Sequence, residues 1–233
     1  GVPVSYVGHP LADEFPLVPD RAAMRERLGL RPDARVIAML PGSRDSEVRN
    51  LARTYIETAQ ILASRHADAI FLVPLATRET RRIFEQALYD AGAEELPLRV
   101  LFGHAADAMT AADVVLVASG TASLEAALLK RPMAICYRIG KWQYRLMKRM
   151  AYLPWVGLPN ILCDESLVPE LLQDAATPEA LADALDGWLE DPAACARLAE
   201  RFTELHADLR QDTGARAAEA ILPYLEQVTE HSA

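Results

Sequence analysis

The sequence is poor in the features that mark the simplest functional classes. Its 233 residues include 3 cysteines, Cys136, Cys163 and Cys195, with no C-x-x-C pair. An odd, scattered set excludes a disulfide framework and a zinc ribbon, and it suits a reducing compartment. No run of about eighteen apolar residues occurs, so no spanning helix is expected, and no charged-then-apolar leader opens the chain. No two histidines have metal-ligand spacing, and there is no G-x-S-x-G elbow, Walker A loop or G-x-G-x-x-G fingerprint.

A basic surplus is lacking too. The formal net charge of -9 disfavours a dedicated nucleic-acid binder. Within this acidic chain one stretch stands apart: Arg138, Lys141, Arg145, Lys148 and Arg149 follow one another with no acid among them. The first residues, Gly1-Val2-Pro3-Val4-Ser5, have no initiator methionine and read as the middle of a longer chain.

What is present is a core-forming pattern, with 51% of residues hydrophobic. Short apolar runs rich in Val and Ile fall at Val36–Leu40, Ile70–Pro74, Leu98–Phe102, Val114–Ala118 and Met133–Tyr137. Between them Thr54–Ala63, Thr80–Ala91 and Ser123–Leu129 repeat apolar residues at helical spacing. Apolar strands alternating with amphipathic helices imply an α/β fold, a Rossmann-like doubly wound parallel sheet covered on both faces. After Asn160 the texture turns helical, at Pro169–Gln173, Pro178–Glu190, Ala193–Gln211 and Ala215–Gln227. Pro178 and Pro192 follow plausible N-caps, Thr177 and Asp191. The expected organisation is a proline-rich connecting segment over 1–34 with one short helix near Arg21–Leu28, a binding domain over 35–165, and C-terminal helices over 166–233.

Ligands of an open parallel sheet sit beyond the carboxyl ends of the strands, so the turns there are the places to search. The first candidate is Leu40-Pro41-Gly42-Ser43-Arg44, with Glu47 following. Small residues let the chain turn tightly, the next helix offers N–H groups and a positive dipole end, and Arg44 adds a planar donor fork for phosphate. A plain turn with a solvated arginine fits the same spacing. The second is Ser119-Gly120-Thr121-Ala122-Ser123-Leu124-Glu125. Here Ser119 or Thr121 is placed to cap the helix, and Glu125 is placed either to accept from a ribose diol or merely to answer the dipole. A third is Asn160 in Leu158-Pro159-Asn160, an Asx turn or an amide aimed into the cleft. Two phosphate-type turns on one sheet favour a phosphorylated, ribose-bearing ligand.

LPGSR at 40–44 with Glu47, SGTASLE at 119–125, PMAICYR at 132–138, LPN at 158–160 and YVGHPLAD at 6–13 occur together and in this order. In that combination the chain resembles the C-terminal half of bacterial lipid-A-disaccharide synthase, a GT-B glycosyltransferase. The resemblance implies a donor-binding domain that holds UDP-2,3-diacylglucosamine. Ser43 and Arg44 would then meet the diphosphate with Glu47 beside them, Gly120 and Thr121 would offer backbone donors, Glu125 would hold the ribose, and Asn160 would line the pocket. The family's reaction gives the sugar to 2,3-diacylglucosamine 1-phosphate, releases UDP with inversion, and implies no metal and no cofactor. Its catalytic base and acceptor site lie on an N-terminal domain, so this sequence alone is expected to bind UDP without transferring sugar.

The cationic stretch interleaves with aromatics between Tyr137 and Trp155, so Lys141, Trp142, Arg145, Lys148 and Arg149 are candidates for facing an anionic membrane or an acylated substrate. A surface helix with solvated cations is the plain alternative. The resemblance implies a cytoplasmic protein, peripheral on the inner membrane of a Gram-negative bacterium. A homodimer through the C-terminal helices is a further expectation, since a tail of this kind commonly crosses to the other domain. Competing functions are another UDP-sugar transferase or epimerase of the same architecture, and a non-catalytic nucleotide-binding or dimerisation module.

Overall fold

The computed structural model describes residues 4–140, 144, 149 and 153–230. Its centre is one sheet of β1 (Arg35–Leu40), β2 (Ala69–Leu75), β3 (Leu98–Phe102), β4 (Val114–Ala118), β5 (Met133–Tyr137) and β6 (Glu170–Leu172). The strand order is β3-β2-β1-β4-β5-β6 and every neighbouring pair is parallel. Succession along the sheet therefore reverses between β1 and β4, which pair from Ile37 with Val114 to Leu40 with Val117. That reversal is the point where doubly wound sheets open a crevice for ligand.

Helices cover both faces: α1 (Pro10–Glu14), α2 (Arg21–Arg27), α3 (Asp45–Arg65), α4 (Arg78–Asp90), α5 (Ala105–Ala111), α6 (Thr121–Leu128), α7 (Leu158–Cys163), α8 (Pro178–Glu190), α9 (Pro192–Leu209) and α10 (Thr213–Glu230). Side-chain caps define several starts. Thr77 accepts from the Thr80 amide at 3.0 Å, Thr177 from Ala180 at 3.2 Å and Asp191 from Ala194 at 2.8 Å. Alternate residues of β1 serve opposite layers. Val36, Ala38 and Leu40 pack with α5, α6 and α9, whereas Ile37 and Met39 pack with α3 and α8. Buried on both faces, the strand reads as a continuous apolar run.

One expectation is corrected. Pro169–Gln173 is not helical: Glu170–Leu172 form β6, and the Ile135 amide donates to the Pro169 carbonyl at 2.9 Å. So short an apolar run carries no period, and the open edge of β5 decides its conformation by supplying backbone partners. Residues 4–34 are docked on this unit. Arg25 on α2 is buried, donating from Nε to the Ala111 carbonyl at 2.9 Å and from Nη1 to Pro32 at 2.7 Å, and pairing with Asp113 at 2.7 Å.

The C-terminal helices divide. Leu198, Phe202, Leu205 and Leu209 of α9 join the core of this same unit. On α10, by contrast, Ile221, Leu222 and Tyr224 are each more than half exposed. The membrane candidates Lys141, Trp142, Arg145 and Lys148 lie outside the described residues, and Arg149 is exposed. Among the described residues no helix is long and apolar enough to cross a membrane.

Candidate functional site

The carboxyl ends of β1 and β4 lie side by side at the reversal, so the two turns singled out above face each other. Between them opens a cavity of about 280 Å³. Gly42, Ser43, Arg44 and Glu47 line it from the β1 side, and Ser119, Gly120, Thr121 and Glu125 from the β4 side. The third wall is Pro74, Leu75 and Ala76 at the end of β2, with Gly103 and Ala105 beyond β3. Sequence reading missed that wall, although Phe102-Gly103-His104 shows the same strand-end glycine as the other turns. The starts of three helices, α3, α5 and α6, thus converge on one space.

The β1 turn depends on its glycine. Gly42 has φ +118, and a Cβ there would sit 2.5 Å from the Glu47 Cβ and carboxylate. Glu47 folds back over the turn: its Oε2 accepts from the Ser43 amide at 3.0 Å and the Arg44 amide at 3.2 Å. Its Oε1 pairs with the Arg44 guanidinium at 2.9 Å. The Ser43 and Arg44 amides of the turn are therefore held by the protein's own carboxylate. Arg44 remains reachable, its side chain 79% exposed.

The β4 turn is arranged the opposite way. Gly120, at φ +143, is the N-cap of α6, and no side chain caps that helix. Neither Ser119 nor Thr121 does so, contrary to expectation. Ser119 donates its hydroxyl to the Val156 carbonyl at 3.1 Å, and Ser123 donates back to Gly120 at 2.7 Å. The first amides of α6 consequently have no side-chain acceptor and open toward the cavity. One turn on, partial burial raises the Glu125 carboxyl above its ordinary value. Ionised in that setting, the group seeks donors such as hydroxyls.

Asn160 does not join them. It is fully buried: its Oδ1 accepts from Leu167 and Val168 at 2.9 and 3.0 Å, and its Nδ2 donates to Val168 and Glu170 at 2.9 and 2.8 Å. The expected pocket residue is instead the brace between α7 and β6. Arg138 holds the complementary place. At the end of β5 it donates to the Thr54 hydroxyl at 2.9 Å and the Gln173 carbonyl at 3.2 Å. With Asn50 and Gly140 it lines a second cleft of about 420 Å³ that shares Arg44, Glu47 and Ser119 with the first.

Sheet order and a cavity at its reversal are the features of a Rossmann-like doubly wound unit, and solved structures share that fold. The C-terminal domain of a glycosyl transferase group 1 family protein from Francisella tularensis superposes with TM-score 0.58 at 15% identity, covering 88% of this chain and 100% of that one. Anabaena HepE, solved with UDP and glucose, gives TM-score 0.58 at 17% identity over 86% of this chain and 51% of its own. The chain belongs to the lipid-A-disaccharide synthetase family, whose model matches residues 1–221. Lipid-A-disaccharide synthase of Aromatoleum aromaticum is 76% identical over 230 residues, which is 99% of this chain and 59% of the relative's length.

Proposed function

We propose that this chain is the donor-binding half of a lipid-A-disaccharide synthase. In this reading it holds UDP-2,3-diacylglucosamine while the sugar passes to 2,3-diacylglucosamine 1-phosphate with inversion and release of UDP. The observation that carries the reading is the cavity where β1 meets β4, with Arg44 on one wall and the uncapped start of α6 on the other. A diphosphate seated there receives the guanidinium fork and the helix amides, and Glu125 is placed to accept from a ribose diol. As the anomeric bond breaks, negative charge gathers on the departing diphosphate, where donors fixed in advance lower the barrier. Removing one such donor typically costs about 10²–10³-fold in rate. Activation of the attacking hydroxyl is assigned to the part of the family's length that this chain does not span.

Two measurements test this. Calorimetric titration with UDP should show binding to the unaltered chain and at least about tenfold weaker binding for Arg44→Ala and Glu125→Ala, one lost charged or hydroxyl contact being worth about 1.5–3 kcal/mol. Unchanged affinity in both variants rejects the site. Assayed alone with both acylated substrates, the chain should make no disaccharide, and measurable product would overturn the division of labour. We also propose that Lys141, Arg145, Lys148 and Arg149 draw the protein to an anionic membrane, each cation near such a surface contributing about 1 kcal/mol. A charge-neutral variant of Lys141, Arg145 and Lys148 should lose flotation with anionic vesicles, and equal flotation retires that idea.

A further inference from the structure

A further cleft, of about 550 Å³, lies at the opposite ends of the strands. Its floor is the amino end of β1, β4 and β5, marked by Arg35, Asp113 and Pro132, and its rim comes from α2 and the α8–α9 corner. Cations dominate it in a chain whose net charge is -9. The central acid is already committed. Asp113 pairs with Arg21 at 2.6 Å and Arg25 at 2.7 Å, and it accepts the Val36 amide at 2.8 Å. Arg35 is paired as well, with Asp68 at 2.5 Å.

Arg131 is left over. Its Nε is buried with no hydrogen-bond partner among the described residues. Burial and the neighbouring Arg21 push its guanidinium down to about 10, with Asp113 opposing and Arg25 adding to the shift. The adjoining Lys130 is likewise driven down to about 8, by burial first and then by Arg131 and Arg210. A guanidinium is essentially always charged in proteins, so depression of this kind reports burial first and neighbouring positive charge second rather than loss of the proton. The buried Arg131 donor without an acceptor is answered by one oxyanion, in a cleft where Arg21, Arg25, Arg35, Lys130 and Arg131 outnumber the acids Asp33 and Asp113. An arginine fork beside two further arginines is the donor set that phosphate recognition uses.

We propose that the cleft beneath Arg131 is a binding site for a phosphate-bearing anion, separate from the cavity at the β1–β4 reversal. The class is a di- or polyphosphate or a phosphorylated headgroup. A single carboxylate would satisfy the fork but could not reach Arg21 as well, which shares its one acid, Asp113, with Arg25. The site does not depend on the assignment of the other cavity, because the two lie at opposite ends of the same strands.

Inorganic pyrophosphate is the probe, titrated calorimetrically into Arg44→Ala, so that the cavity at the β1–β4 reversal does not contribute, and into Arg44→Ala combined with Arg131→Gln or with Arg21→Gln, with circular-dichroism melting as the fold control. Binding should persist in Arg44→Ala and fall at least about tenfold when either Arg131→Gln or Arg21→Gln is added. Arg21 is half exposed, so its variant keeps the test meaningful if Arg131→Gln melts early. Phosphatidylglycerol vesicles form a parallel arm. Arg131-dependent flotation competed by pyrophosphate makes a lipid headgroup the source, and pyrophosphate binding without flotation makes it a free phosphate. Absence of pyrophosphate binding, or binding that survives both Arg131→Gln and Arg21→Gln, overturns the proposal.

Discussion

Glu125 is held in a setting that favours its uncharged form, and this gives the residue opposite effects on folding and on binding. Its carboxyl titrates above the ordinary 4.5 because burial penalises the charge. The folded chain therefore holds that proton more tightly than the unfolded chain does. The resulting stabilisation is complete below the unfolded value and is lost as pH rises through the raised one. At neutral pH the ionised carboxylate is a small net cost. Glu125→Gln should raise the melting temperature at neutral pH, by the equivalent of less than about 1 kcal/mol because solvent still reaches the group. The gain should shrink toward pH 4, while UDP binding weakens. A melting temperature unchanged across that range contradicts the assignment. Residue-level roles were legible only where chain direction fixes them. Spacing put Arg44 and Glu125 on strand-end turns, and both line the cavity. Spacing could not show that Glu47 turns back on its own loop or that Asn160 spends its amide on β6, since both depend on contacts made after the chain has closed.

Among elements, α6 joins two of the clefts: its start opens on the cavity at the β1–β4 reversal and its end leads to Lys130 and Arg131 in the other. The exit turn is a left-handed cap. Lys130 has φ +57, its amide donating to the Ala127 carbonyl at 2.8 Å and the Arg131 amide to Ala126 at 2.9 Å. Glycine is the usual occupant of that position, and a side chain there costs about 1 kcal/mol. Lys130→Gly should therefore stabilise the fold by about 1 kcal/mol, read as a higher urea midpoint at constant m. A lower midpoint would show that the lysine's bond to the Leu128 carbonyl outweighs the strain. The strands β1, β2, β4 and β5 were readable because runs covered on both faces leave little choice of residue type. The whole of β6 was not, for it exists because β5 presents an unpaired edge.

For the whole molecule, the described unit buries its own two-layer core, with α1, α2 and α9 closing the side away from α3 and α8. Its fold was legible because alternating strand and helix patterns leave few topologies once crossovers are right-handed. What α10 packs against was not, for its exposed Ile221, Leu222 and Tyr224 carry no signature of a partner. A ligand that binds only the folded unit should raise its stability by mass action, about 2.7 kcal/mol at a hundredfold excess over Kd. UDP should thus shift the thermal transition upward in a concentration-dependent way. The shift should be smaller in Arg44→Ala, and a shift of equal size there would place the ligand elsewhere.

The Glu47 carboxylate that occupies the β1 turn has a kinetic meaning as well. A diphosphate reaching those amides must evict a resident charge, so binding is an exchange of one anion for another. The same carboxylate, tethered three residues away, waits at high effective concentration to take the amides back. Such an internal competitor weakens equilibrium affinity and speeds departure, which in the proposed reading would suit a donor site that must clear its spent nucleotide between turnovers. Glu47→Gln, with a weaker neutral acceptor, should bind UDP more tightly and release it more slowly in stopped-flow displacement. Faster release from that variant would mean that the carboxylate organises the loop for its ligand rather than contending with it.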